Sequence, residues 1–152
     1  MKNNKWMFLA LIMVFSMLLL AACGGAAVTP DPDAPKPSNP GATGKALTLT
    51  GDAAAGKEIF ASTCAACHGE EGKGGVNNPG GDEDVPTLNP ADEFYNADAK
   101  IFAANLDPFL EHGSKPDGDN PALVMQAYGD TGTLTPQQIA DVIAYIISLN
   151  KK

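Results

Sequence analysis

The chain has 152 residues, with 10 basic side chains, all lysine, against 18 acidic ones and a formal net charge of −8. Its composition, 44% hydrophobic and 18% charged, is that of a globular chain, and its length suits one domain. So acidic a chain excludes a surface that tracks a nucleic-acid backbone, so no nucleic-acid partner is expected, and it also excludes a polybasic membrane patch.

The amino terminus reads as a targeting segment. Lys2 and Lys5 precede an uncharged run of 17 residues, Trp6 to Ala22, broken only by Ser16. A basic start followed by an apolar stretch is the layout of a secretory signal, and the run is short for a membrane span. It ends in Leu20-Ala21-Ala22-Cys23, which resembles the bacterial lipobox. That resemblance implies removal of residues 1–22 as a lipoprotein signal peptide and acylation of Cys23. The alternative is an uncleaved anchor helix. Either one places the domain at the cell membrane, on its extracytoplasmic face. The processed chain keeps 18 acidic groups against 8 lysines, one methionine (Met125), His68, His112, Cys23, Cys64 and Cys67, and no tryptophan.

Residues 23–46 are expected to hold the lipidated cysteine and a flexible tether. Between Gly24 and Lys45 stand five prolines and four glycines with almost no bulky apolar side chain. Such a segment buries too little surface to offset the entropy of ordering it. Extended, it would reach roughly 60–70 Å, at about 3.1 Å per residue.

The folded domain is expected over residues 47–152 and is read as all-α. Asp52 is the N-cap of a helix through about Ser62, with Ile59 and Phe60 on its apolar face. Thr135-Pro136-Gln137-Gln138 is a helix start with Pro at the first helical position and Gln at the third. Ile139, Val142, Ile143, Ile146 and Ile147 then recur at spacings of three and four, the stripe of an amphipathic helix. Ala97 to Phe102 and Pro108 to His112 are read as two shorter helices. Residues 69–90 and 113–122 are rich in Gly, Pro, Asn and Asp and read as loops. No alternating run marks a strand. Three or four short helices make a thin core, one that a large apolar group at its centre would complete.

Cys64-Ala65-Ala66-Cys67-His68 carries the chemistry. The spacing C-x-x-C-H is the attachment signature of c-type haem: two thiols add to the porphyrin and the adjacent imidazole is placed as an axial ligand. A structural zinc site needs four ligands, and beyond Cys64 and Cys67 the chain offers only His112 and the presumed anchor Cys23. A thioredoxin-like pair needs a βαβ context that is missing. A disulfide between residues three apart closes a loop too small to stabilise much. The sixth iron ligand follows by elimination. Met125 is the only methionine of the processed chain, and His112 is its competitor.

These residues resemble the class I monohaem cytochromes c, and in particular their small bacterial lipoprotein-anchored members, over residues 47 to 150. Gly56 and Phe60 match the glycine and aromatic on that family's first helix, and Val142 and Tyr145 match positions on its last. Pro86 and Leu88, in Val85-Pro86-Thr87-Leu88, are similar to the proline and leucine that follow the haem motif. Met125-Gln126-Ala127-Tyr128-Gly129 is similar to the family's Met-Pro-Ala-Phe-Gly strap. The resemblance implies a fold of short helices and loops wrapped around one covalently bound haem c. It implies that Cys64, Cys67, His68, Met125, Pro86 and Leu88 contact that haem, with His68 and Met125 on the iron and the Pro86 carbonyl accepting the histidine Nδ1–H. Gln126 departs from the family's Pro, which implies a softer strap. With no Trp, any hydrogen bond to a propionate falls to Tyr95, Tyr128, Asn or the backbone.

His/Met ligation closes the iron to oxygen chemistry and raises its potential. The implied function is therefore that of a membrane-anchored one-electron carrier in a respiratory or photosynthetic chain, and not an enzyme. Alternatives are a fixed haem subunit of a quinol-oxidising or oxidase complex, and a haem enzyme or gas sensor with an open sixth site. The acidic surface suits redox partners with basic docking surfaces and a rate that falls with salt. Glu70-Glu71 and Asp82-Glu83-Asp84 are candidate contacts, although a charge run is usually just a solvated face.

Overall fold

The computed structural model describes residues 28–151. The signal segment 1–22 and Cys23 lie outside the described residues. Among the described residues four helices carry the fold: α1 (Ala53–Thr63), the single turn α2 (Ala65–His68), α3 (Ala99–His112) and α4 (Pro136–Leu149), with 3-10 turns at Lys45–Thr48 and Glu70–Gly72. No strand is present among the described residues beyond one antiparallel bridge, Ser114 to Met125.

The first and last helices start where side chains cap them. Asp52 accepts from the backbone N–H of Ala54 at 2.8 Å and of Ala55 at 3.4 Å. Thr135 and Gln138 form a reciprocal capping box, with Gln138 Oε1 accepting the Thr135 N–H at 2.9 Å and Thr135 Oγ1 accepting the Gln138 N–H at 3.3 Å. The expected stripe on α4 is the core: Ile139, Val142, Ile143 and Ile146 are all buried, against Phe60, Phe102, Leu106 and Leu110. The α1–α4 crossing is close because Gly56 is buried and has no Cβ. A Cβ there would strike the backbone carbonyl of Asp141. Phe60 and Tyr145 meet edge to face across the same crossing, their centroids 5.4 Å apart. Asp141 also ties the two helix starts together, accepting the Asp52 N–H at 2.8 Å and a Gln137 side-chain N–H at 2.8 Å.

Two elements differ from the expectation. The two short helices of the middle segment are one helix, α3, which continues through Pro108. An interior proline removes one backbone hydrogen bond. Here the burial of Phe102, Leu106 and Leu110 along one face holds the helix together across it.

The second difference lies before the domain. Where a loose tether is expected, residues 31–44 lie hydrogen-bonded along α3. The Asp31 N–H donates to Asn105 Oδ1 at 2.8 Å, Asn39 Nδ2 to the His112 carbonyl at 2.8 Å, and the Gly44 N–H to Asp107 Oδ2 at 2.7 Å. Ser38 bonds both Ser114 Oγ (3.1 Å) and the Lys115 N–H (2.8 Å). This segment is fixed by its backbone rather than by apolar side chains. Ala46, one residue before the expected domain boundary, is buried in the core.

His112 closes this clasp. Its Nδ1 lies 2.9 Å from Asp130 Oδ2 and its Nε2 lies 2.8 Å from the Ala42 carbonyl. Both partners only accept, so both ring nitrogens must donate and the ring is an imidazolium. The hydrogen bonds to Asp130 and Ala42 accordingly hold its pKa above the ordinary histidine value. Asp107 and Glu111, on the same helix face, are shifted upward by burial, and the nearby His112 charge opposes both shifts. A raised histidine pKa gives stability that is full below the unfolded value and is lost as pH rises through the folded one. Thermal unfolding of wild type and His112→Ala at several pH values checks this. The wild-type advantage is expected to be largest near about pH 6 and to shrink toward about pH 9.

Candidate haem site

One helical turn sets the geometry. α1 ends at Cys64, whose N–H donates to the Phe60 carbonyl at 2.8 Å. The Cys64 carbonyl then accepts from the N–H of Cys67 (3.1 Å) and of His68 (2.9 Å). Cys64 and Cys67 therefore share one side of the chain, three residues apart, with His68 directly after them. The two thiols are not joined to each other. Burial, and the nearby Cys67, push the Cys64 thiol up to about 12. A redox-active dithiol requires the opposite shift, toward the thiolate, so the environment argues against that alternative.

His68 is buried, 9% exposed, and its Nδ1 lies 3.1 Å from the Pro86 carbonyl. A carbonyl accepts only, so Nδ1 carries the proton and Nε2 is left as a free lone pair with no partner among the described residues. Burial lowers the His68 pKa and the Pro86 hydrogen bond partly offsets it, so the ring is neutral, the state in which imidazole binds a metal. Pro86 is itself held by its neighbours. The Val85 N–H donates to the Val76 carbonyl at 3.1 Å, and the Leu88 N–H donates to the Gly72 carbonyl at 2.7 Å. Leu88 is buried beside this contact.

The Met125 segment is brought to the same end of the molecule. Met125 exchanges both backbone hydrogen bonds with Ser114, at 2.9 and 3.0 Å, and its half-buried side chain packs on the core. Three residues on, the Tyr128 hydroxyl donates to the carbonyl of Thr63 at 3.5 Å, next to Cys64. Its pKa is raised by burial first and then by the two cysteines. Tyr95 packs edge to face on Phe102 at 5.6 Å. His112 is spoken for by Asp130 and Ala42, so the competitor for the sixth position has no nitrogen to offer. Among the described residues no three His, Cys, Asp or Glu side chains group to hold a metal ion, which leaves no closed zinc cage. The donor set here is two unpaired thiols and one neutral imidazole nitrogen. That set fits a c-type haem.

The comparisons agree with the site. The family described as Cytochrome c matches residues 53–150. This chain belongs to the cytochrome c family. As a cytochrome c it binds haem c covalently and has the class I fold. The Cbb3-type cytochrome c oxidase subunit CcoP of Azospirillum sp. (strain B510) is 36% identical over 106 residues, covering 65% of this chain and 31% of that protein. The oxidase subunit FixP of Sinorhizobium medicae (strain WSM419) is 29% identical over 97 residues, 64% of this chain and 30% of that protein. Cytochrome c6 of Rippkaea orientalis (strain PCC 8801 / RF-1) is 34% identical over 101 residues, 66% of this chain and 73% of that protein. The match thus spans about a third of the length of the oxidase subunits and most of the cytochrome c6. No solved structure gives a significant match.

Two links within this site emerge only from the tertiary structure. Asn78 is buried in the loop after the haem motif and bonds the backbone just before Met125. Tyr128 links the Met125 segment to α1. In sequence the first is an ordinary turn residue and the second an aromatic in a strap, and only the tertiary pairing reveals either. Of the two acidic clusters, Glu71 is paired with Lys73 at 2.8 Å, whereas Asp82, Glu83 and Asp84 stand exposed.

Proposed function

We propose that this cytochrome is a lipid-anchored one-electron carrier whose haem is attached through Cys64 and Cys67 and ligated by His68 Nε2 and Met125. The observation that carries the reading is the His68 ring. Its Nδ1 is committed to Pro86 and its Nε2 is free, one residue beyond two unpaired thiols. Haem bound there supplies a one-electron Fe(III)/Fe(II) couple. The protein's part is to orient the imidazole through Pro86, to wall the group with Leu88 and the core, and to present Met125 from a strap fixed at Ser114. Low polarity around the iron makes the ferric charge costlier and raises the potential.

The anchor in this reading is Cys23, acylated after removal of residues 1–22, with the domain held on the extracytoplasmic face of the cell membrane. Among the described residues no helix is long and apolar enough to cross a membrane. Residues 31–44 are docked on α3, so little chain separates Cys23 from the docked segment, and an anchor at Cys23 keeps the haem domain near membrane partners at high effective concentration. Those partners are redox proteins with basic docking surfaces that meet Asp82-Glu83-Asp84. The test is Cys23→Ser in the full chain followed by membrane fractionation. The haem protein is expected to move from the membrane to the soluble fraction. Retention in the membrane with residues 1–22 still attached would favour the uncleaved helix instead.

The oxidase subunits among the relatives favour a second reading, a fixed haem subunit of a larger complex. Mild detergent extraction separates the two. A carrier comes off alone, and a subunit copurifies in constant ratio with its complex.

A further inference from the structure

One loop serves both sides of the site. Residues 76–86 are closed at their base by the Val85 N–H to Val76 carbonyl bond of 3.1 Å. One end of the loop supplies the Pro86 carbonyl that orients His68. Near the other end stands Asn78, buried, 3% exposed, whose amide takes both backbone groups of one residue of the Met125 strap. The Leu123 N–H donates to Asn78 Oδ1 at 2.8 Å, and Asn78 Nδ2 donates to the Leu123 carbonyl at 3.1 Å. The surrounding backbone pairs in the same sense. The Ala122 N–H donates to the Pro79 carbonyl at 2.9 Å, the Asn120 N–H to the Gly80 carbonyl at 3.2 Å, and the Asp82 N–H to the Asp117 carbonyl at 3.0 Å. This contact is close enough that a Cβ on Gly80, whose φ is +77°, would strike the Asn120 carbonyl. The strap is thus gripped at Leu123 by Asn78 and at Met125 by Ser114, with one residue between the grips.

We propose that Asn78 is the positioning residue for the Met125 ligand, stiffening a strap in which Gln126 stands where the resembling cytochromes have proline. The proposal rests on Met125 being the sixth ligand. A proline restrains its own φ and its predecessor's backbone, and so limits where the methionine side chain can go. Gln126 gives no such restraint. Its side chain bonds only the Val124 carbonyl, at 3.4 Å. The buried two-bond grip on Leu123 restrains the same stretch from outside. Removing the amide takes away the partners of both half-buried Leu123 backbone groups and frees the segment to move.

The experiment is an imidazole titration of the ferric holoprotein, read at the long-wavelength band of the Fe(III)–thioether bond. Exogenous imidazole competes with Met125, so its apparent affinity measures how firmly the strap holds the ligand. Asn78→Ala is expected to raise that affinity about tenfold or more. Asn78→Asp keeps the acceptor for the Leu123 N–H and loses the donor, and is expected to fall between. Asn105→Ala, which removes both the 2.9 Å bond from Asn105 Nδ2 to the Phe94 carbonyl and the acceptor of the Asp31 N–H, controls for loss of stability away from the strap and is expected to change the affinity less than about twofold. In a Met125→Ala background Asn78→Ala should add nothing. If Asn78→Ala and Asn78→Asp bind imidazole as wild type does while Met125→Ala binds it far more tightly, Asn78 does not position the ligand and the ligand assignment stands. If Met125→Ala itself leaves band and affinity unchanged, the ligand assignment fails and the proposal with it. Should Asn78→Ala not mature with haem, Asn78→Asp decides alone: a rise supports the role and no rise overturns it.

Discussion

Replacing Met125 with Ala is expected to remove the long-wavelength band of the oxidised protein, lower the reduction potential and let the reduced protein bind carbon monoxide rapidly. The processed chain has no other methionine, and His112 spends both ring nitrogens on Asp130 and Ala42. No described side chain stands ready to replace the thioether. Axial ligands move haem potentials across a range of roughly 0.8 V, so exchanging a thioether for water should lower this one on the order of 0.1 V or more. The fold should survive. Met125 is only half-buried, and its main-chain bonds to Ser114 do not depend on its side chain. The cost in stability is expected to be about 1–2 kcal/mol beyond the lost ligand bond, less than for a fully buried methionine. Absorption spectroscopy, a redox titration and carbon monoxide mixing check the three effects. An unchanged oxidised spectrum would show that another group holds the sixth position.

Gly56→Val is expected to have the largest effect on stability. The position sits where α1 crosses α4, and even a single methyl there meets the Asp141 backbone. Backbone cannot swing aside as a flexible side chain can, so the helices must separate. Separation loosens the Phe60–Tyr145 edge contact and the buried seam around Val142 and Ile146. Overpacking of this kind costs about 1–3 kcal/mol, and loss of neighbouring contacts adds to it. For a domain of this size about 3 kcal/mol lowers the midpoint of thermal unfolding by roughly 10–20 °C. Ala54→Val, on the exposed side of the same helix, is the comparison. It changes helix propensity alone, at about half a kcal/mol, and should move the midpoint by only a few degrees. Equal shifts for the two variants, followed by circular dichroism, would contradict a close crossing.

The parts of the molecule that were legible in sequence are the parts whose causes are local. Asp52, Thr135, Pro136 and Gln138 announce helix starts because a cap acts within three residues. The isoleucine stripe of α4 announces its buried face because a helix repeats every 3.6 residues. The haem motif is legible for the same reason, since Cys64, Cys67 and His68 occupy one turn. What was not legible depends on partners far along the chain. Residues 31–44 look like a loose spacer because their composition lacks apolar side chains. They are held instead by backbone bonds to Asn105, Asp107 and Ser114, and by the His112 ring, more than sixty residues away. Pro108 reads as a helix break, and only the packing of its neighbours shows that α3 runs through it. Asn78 gave no signal, because a buried amide and a turn amide are the same letter until the strap closes over it.

Covalent haem attachment is tested most directly by mass spectrometry of the mature protein after cleavage at Lys57 and Lys73, which isolates the peptide holding Cys64, Cys67 and His68. One haem added to that peptide, with both thiols blocked to alkylation, is the expected result. A peptide of unmodified mass with two alkylatable thiols would contradict it.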